Sequence, residues 1–157
     1  DIAIITGSPN HYTSNGRLNG YKKAMTNAGL TITDDYIQCG DYCIDGGYEA
    51  MMRLCKLQKR PTAIFISNYD MTIGAYLAIN YLRLKRPDDI SVIGFDNFPL
   101  ANVVNPPLSF AEQPTNVMGT EAGKLLYRRI CGDYSDYPKT IMHKPTMHYK
   151  ESIRQLT

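Results

Sequence analysis

The sequence has little excess of charge of either sign. Its formal net charge is only +2, and its longest basic clusters are the pairs Lys22-Lys23, Lys85-Arg86 and Arg128-Arg129. A nucleic-acid-binding face carries clustered Lys and Arg, whereas isolated basic pairs are typical of the solvated face or the end of a helix. We therefore predict that these residues do not recognise DNA.

Catalytic and metal-binding motifs are also missing. The sequence has no phosphate loop of the GxxxxGK[ST] type, no GxGxxG and no GxSxG. The three histidines lie at positions 11, 143 and 148, none with ligand spacing to a cysteine or carboxylate cluster. These absences predict a protein that is not an enzyme and has no cofactor and no metal.

Cysteine usage and hydropathy bear on the compartment. Cys39 and Cys43 lack the CxxC spacing of redox and zinc motifs, so the four cysteines are interpreted as reduced thiols. No apolar run has the length of a membrane span, and no signal peptide opens the chain. These features predict a cytoplasmic protein with no membrane partner.

The 157 residues, 43% hydrophobic and 20% charged, suit one globular domain. Short apolar runs alternate with helix-period segments, which predicts an α/β fold with a parallel sheet flanked by helices. In the third helix the spacing places Leu77 and Tyr81 inward, and in the fourth it predicts that Leu125 and Leu126 are buried. The predicted strands are Ile2–Thr6, Tyr36–Gln38, Ala63–Ser67, Ile90–Phe95, Leu108–Ala111 and one or two within Thr140–Tyr149; the predicted helices are Ser14–Ala28, Asp45–Lys59, Met71–Leu84 and Asn116–Cys131.

Polar residues follow the predicted strands where each one ends. Asn68, Asp96 and Gln113 come after strands, and Tyr42 lies in the loop after another strand. Arg17 lies in the first turns of the first helix. Ligands of parallel sheets bind at the carboxyl ends of the strands, and planar carboxylate, amide and guanidinium groups can bond two adjacent hydroxyls. This set favours a sugar or polyol site, although an Asp or Asn after a strand is more often a helix cap or turn former.

Four segments, in order, resemble the effector-binding domain of the lactose-repressor/galactose-repressor (LacI/GalR) family of bacterial transcription regulators. They are Arg17–Tyr21 (RLNGY), Pro61–Ala75 (PTAIFISNYDMTIGA), Pro87–Asp96 (PDDISVIGFD) and Pro106–Gly119 with its PPL, QP and MG elements. The resemblance extends over nearly the whole chain. Because four matches occur in the family's order, chance similarity is a poor explanation.

The resemblance implies a periplasmic-binding-protein-like fold, here one lobe plus crossover elements. Residues 1–112 would form the C-terminal lobe, 113–146 a crossover helix and strand belonging to the other lobe, and 147–157 a returning tail. A full member also has an N-terminal helix-turn-helix and a second lobe, so the sequence is expected to be a fragment.

The resemblance also implies roles for individual residues. Arg17, Asn68 and Asp96 would hydrogen-bond the effector, and Tyr42 would stack on it. Gln113 and Met118 would lie near the cleft, where the chain crosses between lobes.

The predicted function is the sensing of a sugar, sugar phosphate or related small molecule in a LacI/GalR-type transcriptional repressor. DNA would be bound only through the absent N-terminal helix-turn-helix, and a homodimer would form through the second and third helices. The alternative is a periplasmic sugar-binding protein of a transport system, which shares the two-lobe fold. The identity of the effector stays open.

Overall fold

The computed structural model describes residues 1–97 and 99–155. Position 98 of the loop predicted after Asp96, and positions 156 and 157 of the predicted tail, lie outside the described residues. The strands are β1 (Ile2–Thr6), β2 (Ile37–Cys39), β3 (Ala63–Ile66), β4 (Ser91–Phe95), β5 (Ser109–Glu112) and β6 (Thr146–His148). The α-helices are α1 (Tyr12–Asn27), α2 (Ile44–Lys56), α3 (Tyr69–Tyr81), α4 (Leu100–Val103) and α5 (Thr115–Ile130), and a 3-10 turn covers Asp34–Tyr36.

The six strands form one sheet in the order β2-β1-β3-β4-β5-β6. The first five strands are parallel to one another, and β6 is antiparallel to β5. Parallel strands need crossover connections, and the connections that follow β1, β2, β3 and β4 contain α1, α2, α3 and the short α4. The predicted mixed α/β fold with a mostly parallel sheet flanked by helices is confirmed.

Alternation along β3 separates the two faces of the sheet. Ile64 and Ile66 are buried in the larger core, which the sheet shares with α2 and α3. Phe65 points to the opposite face and packs against the smaller core, where α1 contributes Tyr21 and Met25. Because successive side chains of a strand point to opposite faces, two helical layers cover one sheet.

α2 and α3 pack so closely that glycine is required between them. A Cβ atom on Gly74 would lie 1.9 Å from the carbonyl oxygen of Ile44. A small residue is therefore needed where α3 meets α2, and the prediction that Leu77 and Tyr81 point inward is wrong. They are 52% and 71% exposed.

α5 differs from the other long helices. None of its residues is buried, although the structure describes every one of them. Leu125 is half-buried, but Leu126 is 63% exposed. The prediction that both leucines are buried is therefore wrong for Leu126, because no element within residues 1–97 and 99–155 covers that side of the helix.

A membrane-spanning segment is not found: no helix within the described residues combines the length and the apolarity that a span requires.

Candidate functional site

The loops that follow β1, β3 and β4 meet at one edge of the sheet, because these strands are parallel neighbours. α1 begins shortly after β1, and α3 begins directly after β3. This carboxyl edge therefore collects loop residues from three strands and the N-terminal turns of two helices. It is the edge at which open α/β sheets bind ligands.

Arg17 of α1 lies across the ends of β3 and β4. One guanidinium nitrogen donates a 2.5 Å hydrogen bond to the carbonyl oxygen of Ser67. The guanidinium carbon lies 3.9 Å from the centroid of the Phe95 ring, and Phe95 makes an edge contact with Phe65. A cation over an aromatic ring is attracted by the ring quadrupole. Arg17 is thus fixed beside the residues that immediately precede Asn68 and Asp96.

Asp96 is held against the end of β5. Its backbone has φ +79°, a conformation that a residue with a side chain rarely adopts. Its backbone N–H donates to the carbonyl of Ala111 over 2.8 Å, and the Gln113 side-chain amide donates to its Oδ1 over 2.6 Å. Gln113 and Asp96, both candidates from the sequence, are therefore in direct contact. Among the described residues, the second carboxylate oxygen of Asp96 has no hydrogen-bond partner.

Asn68 is the N-cap of α3. Its Oδ1 accepts a 3.0 Å hydrogen bond from the backbone N–H of Met71, which is the capping role considered as the alternative for such a residue. Its amide nitrogen makes no hydrogen bond to the described residues. A residue capping with its oxygen can still donate to a ligand with its nitrogen.

Tyr42 bridges the loop after β2 and the start of α1. Tyr42 and Asp41 both have positive φ, +58° and +50°. The Tyr42 hydroxyl lies 3.0 Å from the Thr13 hydroxyl, its ring meets the His11 ring edge-on, and a Cβ atom on Gly7 would lie 2.1 Å from that ring. Tyr42 also packs against the larger core, and none of these contacts is with Arg17, Asn68 or Asp96.

Met118 lies away from the carboxyl edge. It is 40% exposed and lines a shallow apolar groove between α5 and the segment that follows it. The residues that share this groove are Glu121, Ala122, Leu125, Ile141 and His143. The structure therefore brings Arg17, Asn68, Asp96 and Gln113 to one edge, places Tyr42 at neighbouring loops, and does not bring Met118 to them.

Sequence reasoning missed several residues at this edge. Phe95 was interpreted only as strand core, although as the last residue of its strand it could be expected to reach the edge. The hydroxyl oxygen of Ser67 is buried without a hydrogen-bond partner among the described residues. Glu112 accepts a 2.7 Å hydrogen bond from Asn97, and His148 lies against Glu112. Only the register of β5 and β6 brings the last two together.

Within the described residues, no group of three or more His, Cys, Asp or Glu side chains is placed to hold a metal ion. The donors and acceptors at the edge are a guanidinium, a carboxylate and two amides. Such a set recognises hydroxyl, carbonyl or phosphoryl oxygens by hydrogen bonding.

The chain has clear relatives. A family model for the periplasmic binding protein-like domain matches residues 1–153. The chain is 39% identical over 156 residues to the HTH-type transcriptional repressor PurR of Histophilus somni strain 2336, a match that covers 99% of this chain and 46% of that repressor. It is 41% identical over 129 residues to the ribose operon repressor of Escherichia coli K12, covering 82% of this chain and 39% of that protein.

A solved structure gives the same result. The fold is similar to that of a sugar-binding transcriptional regulator of the LacI family from Escherichia coli, solved in complex with phosphate, with a TM-score of 0.83 and 32% identity. That match covers 97% of this chain and 54% of the other. The chain spans about half the length of the relatives it matches or less. The chain belongs to the periplasmic binding protein-like domain family, and it corresponds to the C-terminal part of a LacI-family transcription regulator.

Proposed function

We propose that this chain is the effector-sensing and dimerisation lobe of a bacterial LacI/GalR-type transcriptional repressor. The observation that carries the proposal is the cluster at the carboxyl edge. Arg17 is anchored on Ser67 and Phe95, and Asp96 keeps one carboxylate oxygen available beside it. The DNA-binding head would lie outside these residues, and the protein would be cytoplasmic and not an enzyme.

The proposed effector is a small molecule with several hydroxyl groups, such as a sugar or a sugar phosphate. A carboxylate accepts hydrogen bonds and a guanidinium donates them, so the pair can bind both the hydrogen and the oxygen of neighbouring hydroxyls. The Asn68 amide nitrogen adds a donor, and Tyr42 offers an aromatic face from the neighbouring loop. Gln113 would act by holding Asp96 in place.

We also propose a division of the chain. Residues 1–112 would be the C-terminal lobe, 113–146 the crossover helix and strand that pack on the other lobe, and 147–157 the returning tail. The bare face of α5, with Leu126 63% exposed, supports this division, because an apolar stripe of that width is normally covered. Met118 on the same helix would then reach the cleft only from the other lobe.

Regulation would follow from the two lobes. The two lobes can adopt more than one relative arrangement. An effector bound between them shifts the equilibrium toward the arrangement that it binds more tightly. The transport alternative is not favoured by any specific observation, since the relatives compared above are transcription regulators.

The homodimer would use the outer faces of α2 and α3. Leu77 is 52% exposed and Tyr81 is 71% exposed on α3, and Ile44 of α2 is 39% exposed. Large apolar and aromatic side chains are enriched in interfaces. We expect the complete protein to sediment as a dimer and the variant Leu77→Asp to shift it toward monomer; an unshifted dimer would place the interface elsewhere.

The test of the site is calorimetric titration of the complete protein with D-ribose, cellobiose, ribose 5-phosphate and adenine. For the compound that binds, Asp96→Ala should weaken binding by about 1.5–3 kcal/mol, the range for hydrogen bonds to a charged group. Asp88→Ala is the matched control, because Asp88 is exposed and precedes β4 at the opposite edge of the sheet. Equal affinities in all three proteins would overturn the assignment of Asp96.

A further inference from the structure

His148 is held between a ring and a carboxylate on the last two strands. The antiparallel register of β5 and β6 sets His148 opposite Phe110, and the two rings stack with centroids 4.8 Å apart and planes 22° from parallel. Nε2 of His148 lies 2.7 Å from Oε2 of Glu112. The imidazole N–H is not aligned with that oxygen for a good hydrogen bond. The attraction between the two groups therefore depends on charge.

The other carboxylate oxygen of Glu112 holds the loop after β4. The Asn97 side-chain amide donates to Oε1 of Glu112 over 2.7 Å. Next to this pair, Gln113 donates to Asp96 over 2.6 Å. Two consecutive residues of the loop are thus tied to two consecutive residues at the end of β5. Asp96 needs such ties, since a positive φ in a residue with a side chain persists only where its surroundings hold it.

Few charged groups surround the imidazole. They include the Glu112 carboxylate, 2.7 Å from Nε2, and Lys150, whose Nζ lies 5.2 Å from the centroid of the Phe110 ring. Asp96 lies beyond Asn97 and Gln113. Hydrogen bonding by Asn97, followed by the interactions with His148, lowers the pKa of Glu112, so this carboxyl stays ionised between pH 5 and 8. An imidazole changes charge within that range.

We propose that His148 is a positioning residue for the effector site: its positive charge fixes Glu112, and through Glu112 and Asn97 it fixes the backbone of Asp96. The inference rests on the proposed function only where it assigns effector binding to Asp96. The attraction to Glu112 exists only while the imidazole carries a positive charge, and histidine side chains in general change charge between about pH 5 and 8. Effector affinity should therefore fall about two- to fivefold as the pH rises from 5.5 to 8.

The first experiment needs no effector. In a pH titration of the 157-residue chain followed by NMR, the Asp96 backbone amide and the Asn97 side-chain amide should shift with the same midpoint as the His148 ring. His148→Phe keeps a ring against Phe110 but removes the charge, and Glu112→Gln keeps an oxygen for Asn97. Both variants should abolish the coupled shift. His143→Gln and His11→Gln are the controls, and His11 matters because it lies against Tyr42.

We call the proposed link from His148 through Glu112 and Asn97 to Asp96 the relay. It is overturned if the NMR signals of Asp96 and Asn97 do not shift together with that of the His148 ring, or if they shift just as much in His148→Phe. A second arm measures effector affinity of the complete protein at pH 5.5 and 8. If the NMR shifts are coupled but Asp96→Ala binds the effector as tightly as the unchanged protein, the assignment of Asp96 to the site is refuted and the relay is not. If Asp96→Ala weakens effector binding, but effector affinity depends on pH in the same way in His148→Phe and in the unchanged protein, the relay is refuted and the site is not.

Discussion

Two helices of this chain have similar lengths and opposite environments. α3 has 13 residues, and seven of them are buried; α5 has 16 residues, and none is buried. α3 packs against both α2 and the sheet, whereas α5 has no such cover within the described residues. An apolar stripe on a helix therefore predicts that the stripe is buried, but only the topology decides which element buries it.

α5 is instead stabilised locally at its C-terminal end. Arg128 contacts Asp133 at 2.7 Å and Asp136 at 2.9 Å, and Arg129 contacts Asp136 at 2.6 Å. Arg129 also lies near the rings of Tyr134 and Tyr137. Basic side chains in a last turn also interact favourably with the helix dipole. The end of α5 is therefore ordered by its own loop, and its middle is free for another surface.

The largest difference between the two helices should appear on truncating one side chain in each. Ile79→Ala in α3 should lower the free energy of unfolding by about 2–5 kcal/mol, because Ile79 is fully buried and its loss leaves a cavity. Leu126→Ala in α5 should change it by less than about 0.5 kcal/mol. Urea unfolding of the 157-residue chain measures both. Equal losses would show that α5 is covered within this chain after all.

Gly→Ala substitutions in the two helices should change the free energy of unfolding in opposite directions. In α3, Gly74→Ala places a methyl group against the Ile44 carbonyl and should cost about 1–3 kcal/mol. In α5, no described atom beyond the neighbouring residues and backbone of the helix itself lies within 4 Å of the Cβ position of Gly123, so Gly123→Ala should stabilise by about 0.5–1 kcal/mol. In the complete protein, a destabilising Gly123→Ala would sharpen the comparison by showing that the other lobe packs on this face.

A smaller effect should follow acidification of the loop after α5. The hydrogen bonds from Ser135, followed by that from Arg128, lower the pKa of Asp133 to about 2, against about 3.9 in an unfolded chain. A lowered carboxyl pKa stabilises the folded state above the unfolded value, and this contribution is lost as the pH falls from about 4 to about 2. The protection factors of the amides in the last turn of α5, which relate their exchange rates to those of an unfolded chain at the same pH, should fall over that range. Asp133→Asn should show a smaller fall, because hydrogen bonding by Arg129 and Lys139 also lowers the pKa of Asp136 and this second carboxyl still takes up a proton on acidification.

The sequence predicted the order of the strands along the chain and most of the helices, because apolar runs and periodicity are local signals. It was wrong about the buried face of α3, because the close contact with α2 places Gly74, Ala75 and Ala78 inward together with Ile79, and leaves Leu77 and Tyr81 outside. It also placed a loop where α4 forms. A helix of four residues carries too short a period to detect.

The candidate site was predictable only in part. Arg17, Asn68, Asp96 and Gln113 were found because strand ends in a parallel sheet share an edge. The contact of Arg17 with Phe95 depends on the packing of α1, and that of Glu112 with His148 depends on a register between strands 34 residues apart, from Glu112 to Thr146. Sequence periodicity carries neither. The effector-binding roles and the division into lobe, crossover and tail stay predictions.

The most direct test of the central claim is hydrogen–deuterium exchange of the complete protein with and without the compound that binds in calorimetry. With the compound bound, we expect slower exchange at the carboxyl edge, in residues 67–72 and 94–97. We expect an unchanged exchange rate at the opposite edge, in residues 58–62 and 85–90. Protection that spares 67–72 and 94–97 would contradict the effector site proposed here.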